Sequence, residues 1–309
     1  MTSGTTAQAT AHTHNLRAIV AMLVSQAFFI ASDTVVKLAA EAGMPSGQIM
    51  GARFPMALML VLALAWRARV LHHLRLAMSR IVVTRAGLEI AIAFTFLGAL
   101  PHLALGNITV VLQATPLIIT ALSAMLLAEQ VGWRRWLATA IGFAGVVVVA
   151  RPGGEGLNEW VIVALVCAIL IAFRDLVTRR LSSHIPSIVV TLTTTVFVGV
   201  AGLAAAPFED WVPMTWPLLA ALAASAVLVT GGNYFIIQAF RQGEVSVVSP
   251  FRYAVVIWAM FAAWAVWGDL PDGWDLGGGA LIVGSGLYTF HRQNISRRRA
   301  EREAETPTV

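Results

Sequence analysis

The sequence predicts an all-α polytopic membrane protein with ten transmembrane helices in two inverted five-helix repeats. Composition is one reason: 58% of the 309 residues are hydrophobic and only 12% are charged, whereas a water-soluble domain carries about 25% charged residues. The other two reasons are ten apolar segments of about the length that crosses a bilayer, and three motifs that recur in order in both halves of the chain.

The apolar segments are joined by short connections, which place consecutive helices antiparallel. The predicted spans cover residues 16–38, 46–66, 86–105, 108–128, 134–150, 159–178, 187–206, 216–240, 245–267 and 276–291. The two repeats are predicted at 16–152 and 157–292. Residues 1–15, rich in Ser, Thr, Ala and His, are predicted to form a disordered tail, and 293–309 a tail with both basic and acidic residues.

The distribution of arginine predicts the orientation, because loops on the cytoplasmic side are enriched in Lys and Arg. With a cytoplasmic amino terminus, the inner connections hold Arg67, Arg69, Arg75, Arg80, Arg85, Arg134, Arg135, Arg179, Arg180 and Arg241. The predicted outer loops are instead mostly acidic, at Glu209, Asp210, Asp269, Asp272 and Asp275. The sequence therefore predicts a multi-pass protein of the inner (plasma) membrane with both termini in the cytoplasm.

An internal repeat links the two halves. The segment DTVVK at 33–37 matches DLVTR at 175–179, GNITVV at 106–111 matches GEVSVV at 243–248, and 133–145 matches 274–286. Each half has five spans, an odd number, so the second half must insert upside down relative to the first. Inverted repeats are the architecture of secondary transporters, with the solute site near the midplane between the halves; the step from fold to function here is an analogy of architecture.

The same residues carry a family resemblance. Residues 99–152, with a central Pro116, Glu129 at the end of the fourth span and the Gly142/Gly145 helix, resemble the end of an EamA domain. Residues 245–286 resemble it again, although Asp269 lies one position away from the place equivalent to Glu129. The resemblance covers residues 16–292 and implies the drug/metabolite transporter (DMT) superfamily. It implies ten-helix carriers of small organic solutes whose cavity is lined by spans 1, 3, 4, 6, 8 and 9.

Several other chemistries are disfavoured by what the sequence lacks. Lys37 is the only lysine and no P-loop pattern occurs, which argues against ATP hydrolysis. His72-His73 lies in a basic loop and is interpreted as solvated, and neither a metal site nor a cofactor is predicted. The net charge of +5 is assigned to cytoplasmic loops rather than to a nucleic-acid surface. A membrane enzyme acting on a lipid or small metabolite, or an exporter of drugs or toxic metabolites, remains the alternative.

Charged residues inside the spans are candidates for ion coupling or for ion pairs. Asp33 lies four residues before Lys37, and Arg53 lies about two turns into the next span from the same side of the membrane, so a pair of Asp33 with either cation is expected. Asp175, next to Arg174, occupies the related place in the sixth span. Glu89 is the best carboxylate for proton coupling, with a fixed ion pair as the equal alternative.

Neutral polar and aromatic residues predict a solute pocket. They are Asn107, Gln113 and Thr115 on the fourth span, Asn233, Tyr234 and Gln238 on the eighth, and Tyr253 and Trp258 on the ninth. Gly231-Gly232 is expected to loosen the eighth helix so that a solute reaches its backbone. Any one of these residues could instead hydrogen-bond between helices. Together they favour a neutral or zwitterionic metabolite, such as a vitamin like riboflavin or an amino-acid-type solute.

Arg252 is the charge that most needs an explanation, because it follows Pro250 inside an apolar run. We expect it to face the cavity, to be held there by Glu89 in the empty carrier, and to bind an electronegative group of the solute; the alternative is a side chain that extends to the membrane surface. The glycine-rich run 277–286 predicts close helix contact, either within the chain or across a homodimer.

Overall fold

The computed structural model describes residues 3–126, 133–150, 159–182, 184–242 and 245–305, and within these ranges it contains helices and no strands. The α-helices are α1 Ser3–Glu41, α2 Ser46–Arg67, α3 Arg80–Ala99, α4 Leu105–Leu112, α5 Thr115–Leu126, α6 Trp133–Ala150, α7 Glu159–Arg179, α8 Ser187–Ala205, α9 Trp216–Gln242, α10 Val245–Val248, α11 Ala254–Trp267 and α12 Gly273–Glu305. Short 3₁₀ helices cover Leu71–Met78, Ala206–Phe208 and Ser249–Tyr253.

These helices account for the ten predicted spans. Eight stretches are long and apolar enough to cross a membrane, and Trp136–Ala150 is a shorter apolar helix. α4 and α5 together form the fourth span, and α10, the 3₁₀ helix Ser249–Tyr253 and α11 form the ninth. α12 supplies the tenth. The all-helical, ten-span fold predicted from the sequence is therefore confirmed.

The two outermost helices run further than the predicted spans. α1 is helical from Ser3 and α12 continues to Glu305, so both segments predicted as tails have helical backbone. The disorder predicted for residues 1–15 stays a prediction.

The halves pack against each other in pairs of spans. α1 packs on α9 and α3 on α7, while α2 packs on α8, α6 on α12 and α4 on α11. Spans 1 to 5 correspond in order to spans 6 to 10. Exchanging each span for its counterpart turns the α1–α9 contact into the α7–α3 contact, and it leaves the other three contacts unchanged. This is the contact pattern of two repeats related by a two-fold pseudo-axis. α4 lies inside the bundle, with six of its eight residues buried.

Small residues let α6 and α12 approach closely. A Cβ atom added at Gly145 would lie 2.7 Å from the carbonyl oxygen of Gly278, and one added at Gly278 would lie 2.7 Å from that of Gly145. A real Cβ atom could not be accommodated there without moving backbone. The close contact predicted for the glycine-rich run therefore occurs within the chain, and a homodimer through this run stays a prediction.

Candidate functional site

The fourth span is broken near its middle. α4 ends at Leu112, Gln113 and Ala114 form a turn, and α5 begins at Thr115. Pro116 causes the break, because proline has no N–H to donate to the carbonyl four residues earlier. That carbonyl, on Leu112, instead accepts a hydrogen bond from the Thr115 hydroxyl at 2.6 Å. Thr115 thus compensates locally for the missing backbone bond.

The ninth span is broken at the corresponding place of the second repeat. α10 has four residues, the 3₁₀ helix Ser249–Tyr253 follows with Pro250 in its first turn, and α11 then continues to Trp267. The internal repeat aligns residues 106–111 with 243–248, and the same alignment places Gln113 opposite Pro250. Broken spans in matching positions near mid-membrane are where inverted-repeat transporters hold their solutes.

The two broken spans meet in the interior. α4 packs on α11, and a Cβ atom added at Gly106 would lie 3.3 Å from the side chain of Met260. Trp258 is half-buried against the same core and lies edge-on to Phe261 at 6.5 Å between ring centroids. The absence of a side chain at Gly106 therefore leaves room for Met260 where α4 packs on α11.

Several polar side chains near the breaks lack a protein partner. Asn107 and Gln113 are half-buried, and within the described residues neither side-chain amide makes a hydrogen bond. Arg252 is exposed and likewise makes no ion pair or hydrogen bond there. Tyr253 is half-buried, with its hydroxyl against Gly286 of α12. These are groups that a polar solute could satisfy.

The predicted role of Gly231-Gly232 is wrong. α9 is one continuous helix, and the two glycines receive the rings of Phe28 and Phe29 from α1. The Ser25 hydroxyl also donates to the carbonyl of Gly232 at 2.8 Å. The absent side chains therefore serve helix packing, and this backbone is covered by protein rather than open to a solute.

The polar residues that follow on α9 differ in their surroundings. The Asn233 amide donates to the carbonyl of Val229 at 3.0 Å, so one of its donors is used within its own helix. Tyr234 is 59% exposed and lies edge-on to Phe235. Gln238 is half-buried.

Glu89 belongs to a network of four charges that joins α3 to α7. Arg174 donates to its carboxylate at 3.2 and 3.3 Å and to Asp175 at 2.7 Å. The guanidinium of Arg85 lies 3.9 Å from Glu89. Arg85 also donates to Thr178 at 3.0 Å and to Thr194 of α8 at 2.8 Å. We call Arg85, Glu89, Arg174 and Asp175 the α3–α7 network.

Two sequence predictions change here. Glu89 is paired with Arg174 and Arg85, not with Arg252, because α7 is the helix that packs on α3 at this level. Arg85 was assigned to a cytoplasmic loop, but α3 begins at Arg80 and includes it. An i,i+4 spacing from Arg85 to Glu89 was the signal in the sequence that could have revealed this pair.

Lys37 also has partners other than the expected one. Its ammonium group donates to the carbonyls of Leu100 at 2.9 Å and Leu103 at 2.6 Å, and lies 3.3 Å from the Glu41 carboxylate. Trp267 completes the group, since its indole N–H donates to Glu41 at 2.7 Å. We call Lys37, Glu41 and Trp267 the Lys37 cluster; it ties α1 to the α3–α4 corner and to the end of α11.

Asp33 is therefore not the partner of Lys37. The Asp33 carboxylate interacts electrostatically with the guanidinium of Arg53 on α2, the second of the two expected cations. At the same end of the bundle, His102 stacks on Trp160 with 3.8 Å between ring centroids. A search of the described residues finds no group of three or more His, Cys, Asp or Glu that could hold a metal ion.

Two inverted five-span repeats, packed in reciprocal pairs around two broken spans, are the architecture of secondary transporters. The EamA-like transporter family model matches residues 16–151 and again residues 158–290. The chain belongs to this family.

Individual relatives are named as transporters. The S-adenosylmethionine uptake transporter of Rickettsia conorii is 25% identical over 62% of this chain and 65% of its own length. The riboflavin transporter of Vibrio cholerae is 30% identical over 61% of this chain and 63% of its own length. Both matches span just under two thirds of the relative. The pseudopaline exporter CntI of Pseudomonas aeruginosa is 24% identical over 86% of this chain and 92% of its own length.

A solved crystal structure shows the same fold. It superposes with a TM-score of 0.62 at 20% identity, and the match covers 91% of this chain and 97% of the solved one. At this identity the likeness extends to the fold alone.

Proposed function

We propose that this chain is a secondary transporter that moves a small organic metabolite across the inner membrane by alternating access. The observation that carries the proposal is the pair of broken spans, with unpartnered polar side chains beside both breaks. The relatives named for S-adenosylmethionine, riboflavin and pseudopaline support a small organic solute, and they include both importers and an exporter.

The proposed solute site is centred on the breaks. Asn107 and Gln113 supply amides from the fourth span, and Arg252, Tyr253 and Trp258 supply a cation and two aromatic rings from the ninth. Asn233, Tyr234 and Gln238 extend the site along α9. The Asn107 and Gln113 amides make no hydrogen bond within the described residues, so a solute that hydrogen-bonds to them displaces no existing protein bond.

Asp33 is the carboxylate that we propose for ion coupling. Glu89 and Asp175 are held by arginines at hydrogen-bond distance, whereas Asp33 has no ion pair within 4.0 Å in the described part of the chain. Arg53 is its nearby counter-charge. Lys37 is committed to the Lys37 cluster. The carboxylate proposed for ion coupling is therefore not one of those held in the structural ion pairs.

Uptake by proteoliposomes tests the transport proposal. Vesicles containing the purified protein are incubated with a water-soluble metabolite extract of the cells that produce it, and the retained solutes are compared by mass spectrometry with those of protein-free vesicles. With proton and sodium gradients imposed across the vesicle membrane, the carrier concentrates at least one solute in chemically unchanged form. A chemically converted product instead supports the membrane-enzyme alternative, and retention equal to that of empty vesicles contradicts transport.

The orientation is a separate proposal. We expect both termini in the cytoplasm, because loops rich in arginine stay inside and ten spans return the chain to the side where it began. A reporter that is active only in the cytoplasm, fused after Arg299, should therefore be active. Activity only of a periplasmic reporter at the same position would contradict the ten-span inverted repeat.

A further inference from the structure

Nearly all charges inside the described spans are balanced by a neighbour. Lys37 is balanced by Glu41, and Asp33 by Arg53. In the α3–α7 network two arginines are balanced by two carboxylates. The other charged residues of these spans, such as Arg17, Arg67, Arg80 and Glu159, lie at or next to span ends.

Arg252 is the exception. It lies seven residues after Val245, where α10 begins, at a depth on the order of 10 Å for helical rises. Its side chain is exposed and, in the part of the chain that the structure describes, has no counter-charge or hydrogen-bond acceptor. A guanidinium facing hydrocarbon costs from about 2.5 to more than 10 kcal/mol. Contact with water rather than hydrocarbon would remove most of that cost.

The protein balances the other charges that lie away from the described span ends, and among these Arg252 alone has no counter-charge. We infer that Arg252 binds a carboxylate of the transported solute, which makes the substrate class carboxylate-bearing metabolites, including zwitterions of the amino-acid type. This inference rests on the proposed transport function, and it narrows the solute from the wider neutral-or-zwitterionic class.

Charge balance also selects among anionic groups. One guanidinium carries one positive charge and can form two parallel N–H···O bonds to a carboxylate. A phosphate monoester carries about −1.5 to −2 charges at neutral pH and would leave excess negative charge beside the break. A solute without an ionised acid would leave the Arg252 guanidinium without a counter-charge. The amides of Asn107 and Gln113 are suited to the uncharged part of the solute.

The metabolite-extract experiment, run with variants, tests this inference. Every solute that the native protein concentrates should carry a carboxylate. The Arg252→Gln variant, which lacks the charge, should take up such a solute at an initial rate at least about tenfold lower, because a charge-assisted bidentate pair is lost. Arg252→Lys should restore uptake only in part, since a point charge replaces the planar fork. Arg67→Gln, which removes an exposed arginine at the end of α2, should leave uptake unchanged.

A second measurement needs no variant, and so holds even if Arg252→Gln fails to fold. Uptake of the labelled solute should be inhibited by the unlabelled acid but at least about tenfold less well by its methyl ester, which lacks the charge that Arg252 binds. Equal inhibition by acid and ester, transport of solutes without a carboxylate, or undiminished uptake by a folded Arg252→Gln protein would overturn the inference while leaving transport intact. Absence of any concentrated solute would overturn the transport proposal itself.

Discussion

Replacing Glu89 by glutamine is expected to destabilise the folded protein by about 1–3 kcal/mol, because the partly buried Arg174 and Arg85 lose a charged partner. Among the described residues, Glu89 is the only carboxylate within 4.0 Å of both Arg85 and Arg174. Without its charge, Arg85 has two threonine hydroxyls but no carboxylate at that distance, and Arg174 has Asp175 as its one charged partner in the described part of the chain. One of the two arginine charges between α3 and α7 would then have no counter-charge.

The measurement is the thermal unfolding midpoint of the purified protein in detergent. A double-mutant cycle with Glu89→Gln, Arg174→Gln and the combined variant isolates the pair, and the combined variant should be less destabilised than the sum of the two single changes. Glu159→Gln, an exposed carboxylate at the start of α7, is the matched control. Strictly additive effects would show that the 3.2 Å contact contributes no coupling energy.

Replacing Lys37 by methionine is the second change with a large expected effect. The lysine is 3% exposed and satisfies two carbonyls at the α3–α4 corner in addition to Glu41. Methionine has a similar volume but no donor, so both carbonyls are left unsatisfied at about 1–3 kcal/mol each. The expected loss of stability is therefore at least about 2 kcal/mol.

Glu41→Gln serves as the comparison, because the Glu41 side chain is 32% exposed and can be solvated by water after the change. Thermal unfolding should place Lys37→Met below Glu41→Gln, and Glu41→Gln below the unmodified protein, because the buried Lys37 ammonium then loses its counter-charge. If the two variants are equally stable, the backbone carbonyls of the α3–α4 corner do not depend on Lys37.

The span architecture could be predicted from the sequence because it depends on local properties. An apolar run of about 20 residues has few alternatives to a spanning helix. Pro116 and Pro250 lie beside the breaks, but proline alone does not predict a break, because Pro55 lies inside the continuous helix α2. The arginine at 252 was likewise visible as a charge without a sequence neighbour to balance it.

The partners of the charges could not be predicted, because they depend on how helices distant in the sequence are rotated and packed. Glu89 and Arg174 are 85 residues apart and meet only because α3 packs on α7. Lys37 binds backbone carbonyls of the α3–α4 corner, and the residue types at that corner do not indicate such a contact. Gly231-Gly232 could signal either a loosened helix or a close contact, and only the positions of Phe28 and Phe29 distinguish the two.

The most direct test of alternating access around the broken spans uses the chain's single cysteine. Cys167 is the only one and is buried, so Cys167→Ala gives a cysteine-free background in which Gln113→Cys is introduced beside the first break. A membrane-impermeant thiol reagent is applied to vesicles of each orientation, with Val200→Cys on the exposed face of α8 as the lipid-facing control. Gln113→Cys should react from both sides of the membrane, more slowly when the transported solute is present, while Val200→Cys should not react. If Gln113→Cys reacts from neither side, the broken spans do not line a solute pathway and the account is contradicted.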